Sequence, residues 1–365
     1  MSLIPRAEVA TRWEAANTEI SRALSQRLVI AFLGSASSGK DAGIRALFGI
    51  DFGQVDPIPG STERLRVSPM DSDGQVLVVN APGFGDVRAS VDATARDVIA
   101  SLDLCIYVLN CDGGATIDER RDLDAIRALG RPVLVCLNKI DLIRPHQRAG
   151  FVEATLAQLG VSQDMAVVTA FDPMPVLSPT PIGIDQVIAW IHKTLQEQGK
   201  ALLFAKQLRN KAAACEPIIQ AAAKKAAVAG SIPVPGADMA AVTAIQVRMI
   251  SDIAAVFGAR IDQDIILFII GEALAGSSKG FVRWAITALK TAGWIPGGQV
   301  AELAVSALGS AVASAATYGV GRASVVFIQR GQGLTGGELQ EIFDMEALRY
   351  RATLMGQVSG ESGDG

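Results

Sequence analysis

Residues 34–41 read Gly-Ser-Ala-Ser-Ser-Gly-Lys-Asp, a glycine, four residues and then Gly-Lys. That spacing suits phosphate binding. The glycines permit a tight turn, the backbone N–H groups of Ser37 to Asp41 point at phosphate oxygens, and the following helix adds its positive end. Lys40 would bridge the β and γ phosphates of a nucleotide. Ser35, Ala36, Ser37, Ser38, Gly39, Lys40 and Asp41 are the candidate phosphate-binding residues. Taken alone, the stretch also fits a Gly/Ser-rich turn between a strand and a helix. A second segment, Asn138-Lys139-Ile140-Asp141, ends the apolar run PVLVCL. The Asp141 carboxylate can accept two hydrogen bonds, from N1 and N2 of guanine, and adenine offers no matching donors. A site built around such a group rejects the ligand that leaves it unpaired. Asn138, Lys139 and Asp141 are therefore candidate base-binding residues. Thr169-Ala170 ends the last strand-like run, where a backbone N–H could meet the guanine O6.

These loops need a scaffold that brings them to one edge. Short runs rich in Val, Ile and Leu lie at 27–33, 74–80, 102–110, 132–138 and 165–169. Each is too short for an ordinary helix, and continuous apolar runs suit a parallel sheet buried on both faces. Residues 63–69 alternate polar and apolar, as an edge strand would. Helical stretches separate the runs, so residues 27–198 predict a doubly wound α/β domain with the loops at the carboxyl ends of its strands. Residues 6–26 predict an amphipathic helix with Val9, Trp13, Ala16, Ile20 and Leu24 on one face.

The composition excludes several classes. Half of the 365 residues are hydrophobic and 19% are charged, which rules out a disordered chain. Basic and acidic residues number 33 and 37, for a net charge of −4, so there is no basic footprint for general nucleic-acid binding. Cys105, Cys111, Cys136 and Cys215 form no CxxC pair and read as buried thiols. Two histidines, His146 and His192, cannot build a His-rich metal site. The N-terminus lacks the apolar stretch of a secretion signal, and a cytoplasmic chain is expected.

In order and spacing, the motifs of residues 27–198 resemble an Era-like GTPase domain of the P-loop class. Pro59-Gly-Ser-Thr62 resembles its first switch, where Thr62 would meet Mg²⁺ and the γ-phosphate. Asn80-Ala-Pro-Gly83 resembles its DxPG second switch, where Gly83 would offer its N–H to the γ-phosphate. The resemblance implies GTP and GDP as ligands, Mg²⁺ as cofactor, Lys40, Thr62 and Gly83 as the groups serving hydrolysis, and Asp41, Thr62 and Asn80 as the metal site.

Two residues depart from that pattern at the metal. Asp41 stands where the family has Ser or Thr, and Asn80 where it has Asp. In one reading the carboxylate has moved from position 80 to position 41, keeping one negative charge and one hydrogen bond between the pair. In the other the site has decayed, and Asp41 repels the β-phosphate. Phe84 follows Gly83, where some GTPases place a glutamine that orients water, so intrinsic hydrolysis should be slow. Ser37 stands where potassium-activated relatives have Asn. Arg64, Arg66, Arg88 and Asp86 read as solvated charges.

From residue 201 onward the pattern is helical and rich in Ala. Two similar breaks, at 231–236 and 294–298, each precede an apolar helix. Residues 303–321 contain no charge, but their Ala, Ser and Gly content suits a bundle helix better than a membrane span. The stretch from Ile232 to Val247 resembles a bacterial helical domain of unknown function found after GTPase domains, and more distantly the immunity-related GTPases. The expected organisation is an N-terminal helix at 1–26, an α/β GTPase domain at 27–198, an all-α domain at 199–345 and a flexible tail at 346–365. The expected function is a GTP-binding protein with slow hydrolysis, cytoplasmic or peripheral at the inner face of the plasma membrane. Its nucleotide state would switch an apolar helical domain against a membrane surface, a partner or a second copy. The alternatives are a pseudo-GTPase interaction module with impaired Mg²⁺ or nucleotide binding, and an RNA or ribosome-assembly GTPase. The second lacks support from any basic face, and no DNA partner is expected.

Overall fold

The apolar runs become strands because each buries side chains on both faces of the sheet. The strands are Leu28–Leu33 (β1), Arg66–Pro69 (β2), Val76–Asn80 (β3), Leu104–Asn110 (β4), Val133–Asn138 (β5) and Ala166–Val168 (β6). Every residue of β1 and β5 is buried, and so is all of β4 except Asn110. The computed structural model describes residues 6–51, 66–81, 100–231, 237–275 and 298–361. The sheet order is β2-β3-β1-β4-β5-β6. Among the described strands only the β2–β3 pair is antiparallel, with β2 at the edge. Cys105 lies near the start of β4 and Cys136 within β5, and all four cysteines are buried. Burial pushes the Cys105 thiol up to about 12, an inert state.

The helices of this unit are Lys40–Phe48 (α2), Ile117–Arg127 (α3), Arg148–Leu159 (α4), Ile184–Glu197 (α5) and Ala201–Gln207 (α6). A capping box starts α3: Glu119 N donates to Thr116 Oγ1 and Thr116 N donates to the Glu119 carboxylate.

The chain divides into two compact units, 23–213 and 1–22 with 214–365. The sheet unit therefore runs past the expected end at 198. Phe204 on α6 packs edge-on against Phe48 on α2 at 6.0 Å, Phe48 does the same to Phe32 on β1, and Arg209 N donates to Leu47 O. The half-buried pair Lys200–Asp103 adds an ion contact of 2.6 Å, and the other Asp103 oxygen accepts from Val29 N.

The second unit contains Lys211–Gly230 (α7) from residue 214 on, Ala237–Phe257 (α8), Gln263–Ala275 (α9), Gly298–Gln329 (α10) and Gly336–Glu361 (α11). The N-terminal helix Arg6–Leu24 (α1) groups with it through Arg22. Its buried face is Val9, Ala16 and Ile20, and Arg6 pairs with Asp264 while Glu19 pairs with Arg248. The tail expected at 346–365 is instead helical to Glu361. Phe343 and Ala347 pack at Gly319, and Tyr350 stacks on Tyr318, so α11 is anchored beyond 346 and its last turns propagate from a formed helix.

Two helical windows, Ala240–Phe257 and Ala307–Gln329, are long and apolar enough to cross a membrane, and 50% and 61% of their residues are buried.

Phe204→Ala tests where the sheet unit ends. The ring is fully buried, so its loss should cost about 3 kcal/mol. Amide exchange in β1 and β4 should accelerate accordingly. Unchanged exchange there would place α6 outside this unit.

Candidate functional site

Parallel register carries the carboxyl ends of four strands to one edge. Phe32 pairs with Asn80, and Asn110 with Asn138. The loops after β1, β3 and β5 begin side by side, where ligands of open α/β sheets bind.

Local backbone geometry makes the loop after β1 a cradle. Gly34 has φ 137°, and a Cβ there would lie 2.1 Å from Val108 O. Gly39 has φ 100°, and its Cβ would lie 2.2 Å from Asn138 Nδ2. Ser37 takes a left-handed φ of 59° despite its side chain. The last glycine hands over directly to α2, whose first residue is Lys40. Ala36 and Ser37 are exposed at the mouth, while Ser38 and Lys40 are buried.

Lys40 folds back over the loop, donating from Nζ to Gly34 O and Ser35 O at 2.9 Å each. Burial lowers its ammonium to about 8, against the opposing pull of Asp41. Ser38 Oγ is buried without a partner among the described residues. A buried cation resting on two carbonyls and an orphaned hydroxyl are the state expected of a loop shaped around an anion.

The base-binding candidates converge on the same loop. Asn138 Nδ2 donates to Ser38 O at 2.8 Å, and Asn138 Oδ1 accepts from Phe171 N at 3.0 Å and Thr169 Oγ1 at 3.3 Å. Lys139 adopts φ 64° and starts a short helical turn that buries Asp141. One Asp141 oxygen accepts from Met174 N at 3.3 Å. The expectation that Thr169 or Ala170 offers a free amide meets a different geometry. Thr169 N donates to Leu137 O and Ala170 N to Ile182 O, because the β6 ladder and an antiparallel bridge continue through both residues. Thr169 contributes its hydroxyl to Asn138 instead.

Asn80 Nδ2 donates to Asp41 Oδ1. Asn80 is 4% exposed, and its Oδ1 has no hydrogen-bond partner among the described residues. The two departing residues are therefore neighbours joined by a hydrogen bond. Thr62 and Gly83 lie outside the described residues, as do segment 59–62, Arg64, Phe84, Asp86, Arg88 and the break at 232–236. Only the backbone of Arg66, in β2, is described.

Sequence reasoning missed Glu119. Its Oε1 accepts from Ser35 Oγ at 3.2 Å while its Oε2 caps α3. The signal was present as Thr116-x-x-Glu119, a capping box immediately before a helix, but that pattern says nothing of a contact 84 residues away. Phe171 was also missed: its ring lies against Gly43 and its N–H anchors Asn138.

A family model described as 50S ribosome-binding GTPase matches residues 29–139, and one for the domain of unknown function DUF697 matches residues 192–348. The probable GTP-binding protein EngB of Gemmatimonas aurantiaca is 28% identical over 148 residues, 38% of this chain and 72% of that protein. The GTPase Der of Protochlamydia amoebophila is 27% identical over 150 residues, 38% of this chain and 31% of that protein. This chain thus spans under a third of Der. A crystal structure of a probable GTP-binding protein EngB covers 46% of this chain and 99% of its own, at 16% identity and a TM-score of 0.34. A structure of Era with MgGDPNP and part of 16S ribosomal RNA covers 55% and 67%, at 14% identity and a TM-score of 0.33. Residues 29–139 are thus similar to a GTPase family model and residues 192–348 to the DUF697 model, each over less than half of the chain.

Proposed function

We propose that the chain is a guanine-nucleotide switch whose divalent-cation site has been rebuilt around Asp41. The observation that carries this is the Asn80–Asp41 hydrogen bond with the orphaned Asn80 Oδ1 beside it. The residues fit a hydrated cation. Asp41 supplies a hard carboxylate oxygen, and Asn80 Oδ1 is an unused acceptor placed to receive a metal-bound water. Mg²⁺ in that position would neutralise charge on the β and γ phosphates.

The remaining work falls to this chain's own groups. Lys40 leaves Gly34 O and Ser35 O for phosphate oxygens. The amides of Ser37 to Asp41 receive the β-phosphate, Asp141 reads the guanine edge, and Glu119 holds Ser35 while Lys40 moves. Phe84 cannot orient water, so hydrolysis is slow. The switch segments holding Thr62 and Gly83 respond to the γ-phosphate. The helical unit is the module that reads this state, at a membrane surface, a partner or a second copy. Its support is the pair of long apolar helices α8 and α10. The setting is cytoplasmic or peripheral to the inner membrane face.

GDP and GTP affinity, measured by fluorescent-nucleotide titration with and without Mg²⁺, tests the metal site. Binding should be guanine-specific and tighter with Mg²⁺, with slow turnover. Asp41→Ser should weaken Mg²⁺-dependent binding by roughly tenfold to a hundredfold, the scale of one charged interaction. Asp41→Ser with Asn80→Asp should recover it. Binding indifferent to Mg²⁺, or no recovery in the double variant, overturns the relocated carboxylate and leaves a pseudo-GTPase.

Asp141→Asn should lower GDP affinity by about thirtyfold or more through loss of one charge-assisted hydrogen bond or two, while ATP stays a poor ligand. Equal GDP affinity in this variant would remove Asp141 from the base site.

A further inference from the structure

A proline-rich loop joins β6 to α5 beside the base-binding carboxylate. Ala170 and Ile182 close its base through two backbone hydrogen bonds, Ala170 N to Ile182 O at 3.1 Å and Ile182 N to Ala170 O at 2.9 Å. Between them the sequence FDPMPVLSPTP carries prolines at 173, 175, 179 and 181. Each proline fixes its own φ and restricts the residue before it, so the loop has little conformational freedom to lose. Met174 O accepts from Leu177 N at 2.8 Å and from Ser178 N at 3.0 Å, which closes a turn. Pro175 stands at the second position of that turn, where its fixed φ is suited.

The side chains of this loop do little to hold it. Met174, Val176 and Leu177 are 60%, 95% and 50% exposed. Asp172 pairs with Arg45 on α2 at 2.7 Å, but both partners are exposed, and such pairs contribute little. Main-chain groups place the loop instead. Phe171 N donates to Asn138 Oδ1 at 3.0 Å, and Met174 N donates to Asp141 Oδ2 at 3.3 Å. Asp141 is 7% exposed, so its carboxylate accepts this bond largely out of water. Met174 thus uses both backbone groups, the carbonyl to close the turn and the N–H to reach Asp141.

We propose that the Met174 N–H is a positioning group for guanine recognition: it fixes the rotation of the Asp141 carboxylate so that both oxygens meet N1 and N2 of the base. An aspartate carboxylate turns broadly about its last torsion. Guanine presents two donors in one plane, and pairing both of them needs one rotation. A donor held by a proline-set turn supplies that rotation before the base arrives, which lowers the ordering cost of binding. A carboxylate has about four acceptor sites, so Oδ2 keeps the amide and still accepts from the base. This role rests on the reading of Asp141 as the guanine-binding residue. It adds a specificity determinant that belongs to the backbone and to no side chain.

Inosine diphosphate (IDP) lacks the 2-amino group and engages the carboxylate through N1 alone, so it depends less on that rotation. GDP and IDP affinities of the full chain, measured by competition against a fluorescent GDP, give the readout, and thermal melting reports folding. Met174→Pro deletes the N–H between two existing prolines. It should weaken GDP by about tenfold, the scale of one hydrogen bond to a charged group, and IDP by less, narrowing the preference for GDP. Pro175→Gly keeps the N–H but loosens the turn, and should narrow the preference by a smaller factor. Val176→Ser, at a side chain almost wholly in solvent, should match wild type. An unchanged preference in Met174→Pro, or an equal fall in both nucleotides, overturns the proposal, since a loop that merely supports the fold would weaken both alike. If Met174→Pro does not fold, Pro175→Gly decides by the same comparison. An equal narrowing in Val176→Ser also overturns it. Wild-type chain that binds GDP and IDP equally overturns it while leaving nucleotide binding in place, whereas binding of neither removes the guanine reading beneath it.

Discussion

Asn138 joins three segments of chain with one carboxamide. Its N–H group holds the carbonyl of Ser38 in the phosphate loop, and its oxygen holds Phe171 N and the Thr169 hydroxyl in the loop after β6. The side chain is buried, so losing either end leaves a polar group unpaired at a cost of about 1–3 kcal/mol. The approach also dictates its neighbour. A side chain at Gly39 would collide with the Asn138 amide nitrogen, so glycine is required there by contact as well as by its positive φ. The consequence is mechanical. The loop after β1 and the loop after β6 are tied through this one side chain and cannot shift independently.

The Asp41–Asn80 pair follows a different logic, that of charge. A carboxylate beside phosphate is unfavourable unless a cation lies between them. In this chain the carboxylate at 41 receives its hydrogen bond from Asn80, which can donate as an aspartate could not at neutral pH. The pair is thus internally consistent: an aspartate at 41 calls for a donor at 80. Glu119 supplies a further fixed acceptor by holding Ser35, and its double duty as helix cap and loop tether links α3 to the phosphate loop.

Much of the sheet unit was legible because its signals are local. Short Val, Ile and Leu runs that alternate with helical stretches read as strands of a sheet buried on both faces, and glycine and lysine spacing announces the loop. Even the Asp41–Asn80 contact could be anticipated, since two adjacent motifs had both changed. The features that escaped are contacts between residues far apart in sequence. Nothing in ALLFAKQ says that Phe204 will pack on Phe48, so α6 reads as the start of the helical domain although it belongs with the sheet. Likewise α1 reads as a separate arm, because its partners Asp264 and Arg248 lie more than two hundred residues on. The glycine- and serine-containing end of α11 has weak intrinsic helicity, and its order comes from Phe343, Ala347 and Tyr350 anchoring the turns before it. The amides of Thr169 and Ala170 were misjudged for a related reason: the bridge to Ile182 that occupies Ala170 N is a tertiary contact.

The helical unit shows how composition can point two ways until pairing is known. The window Ala240–Phe257 has the hydropathy of a span, yet Arg248 and Asp252 lie inside it, one turn apart and bonded to each other. Arg248 also reaches Glu19 on α1, so part of this apolar helix is covered by the polar helix at the other end of the sequence. Burial lifts the Asp252 carboxyl to about 6, even against the pull of Arg248. On α10, Thr317 accepts from Gln246 across the helix pair, and Ser324 bonds its own backbone. These polar residues of the two helices are in this way paired within the unit. Pairing of this kind lets an apolar helix carry polar residues on its packed faces without leaving them unsatisfied.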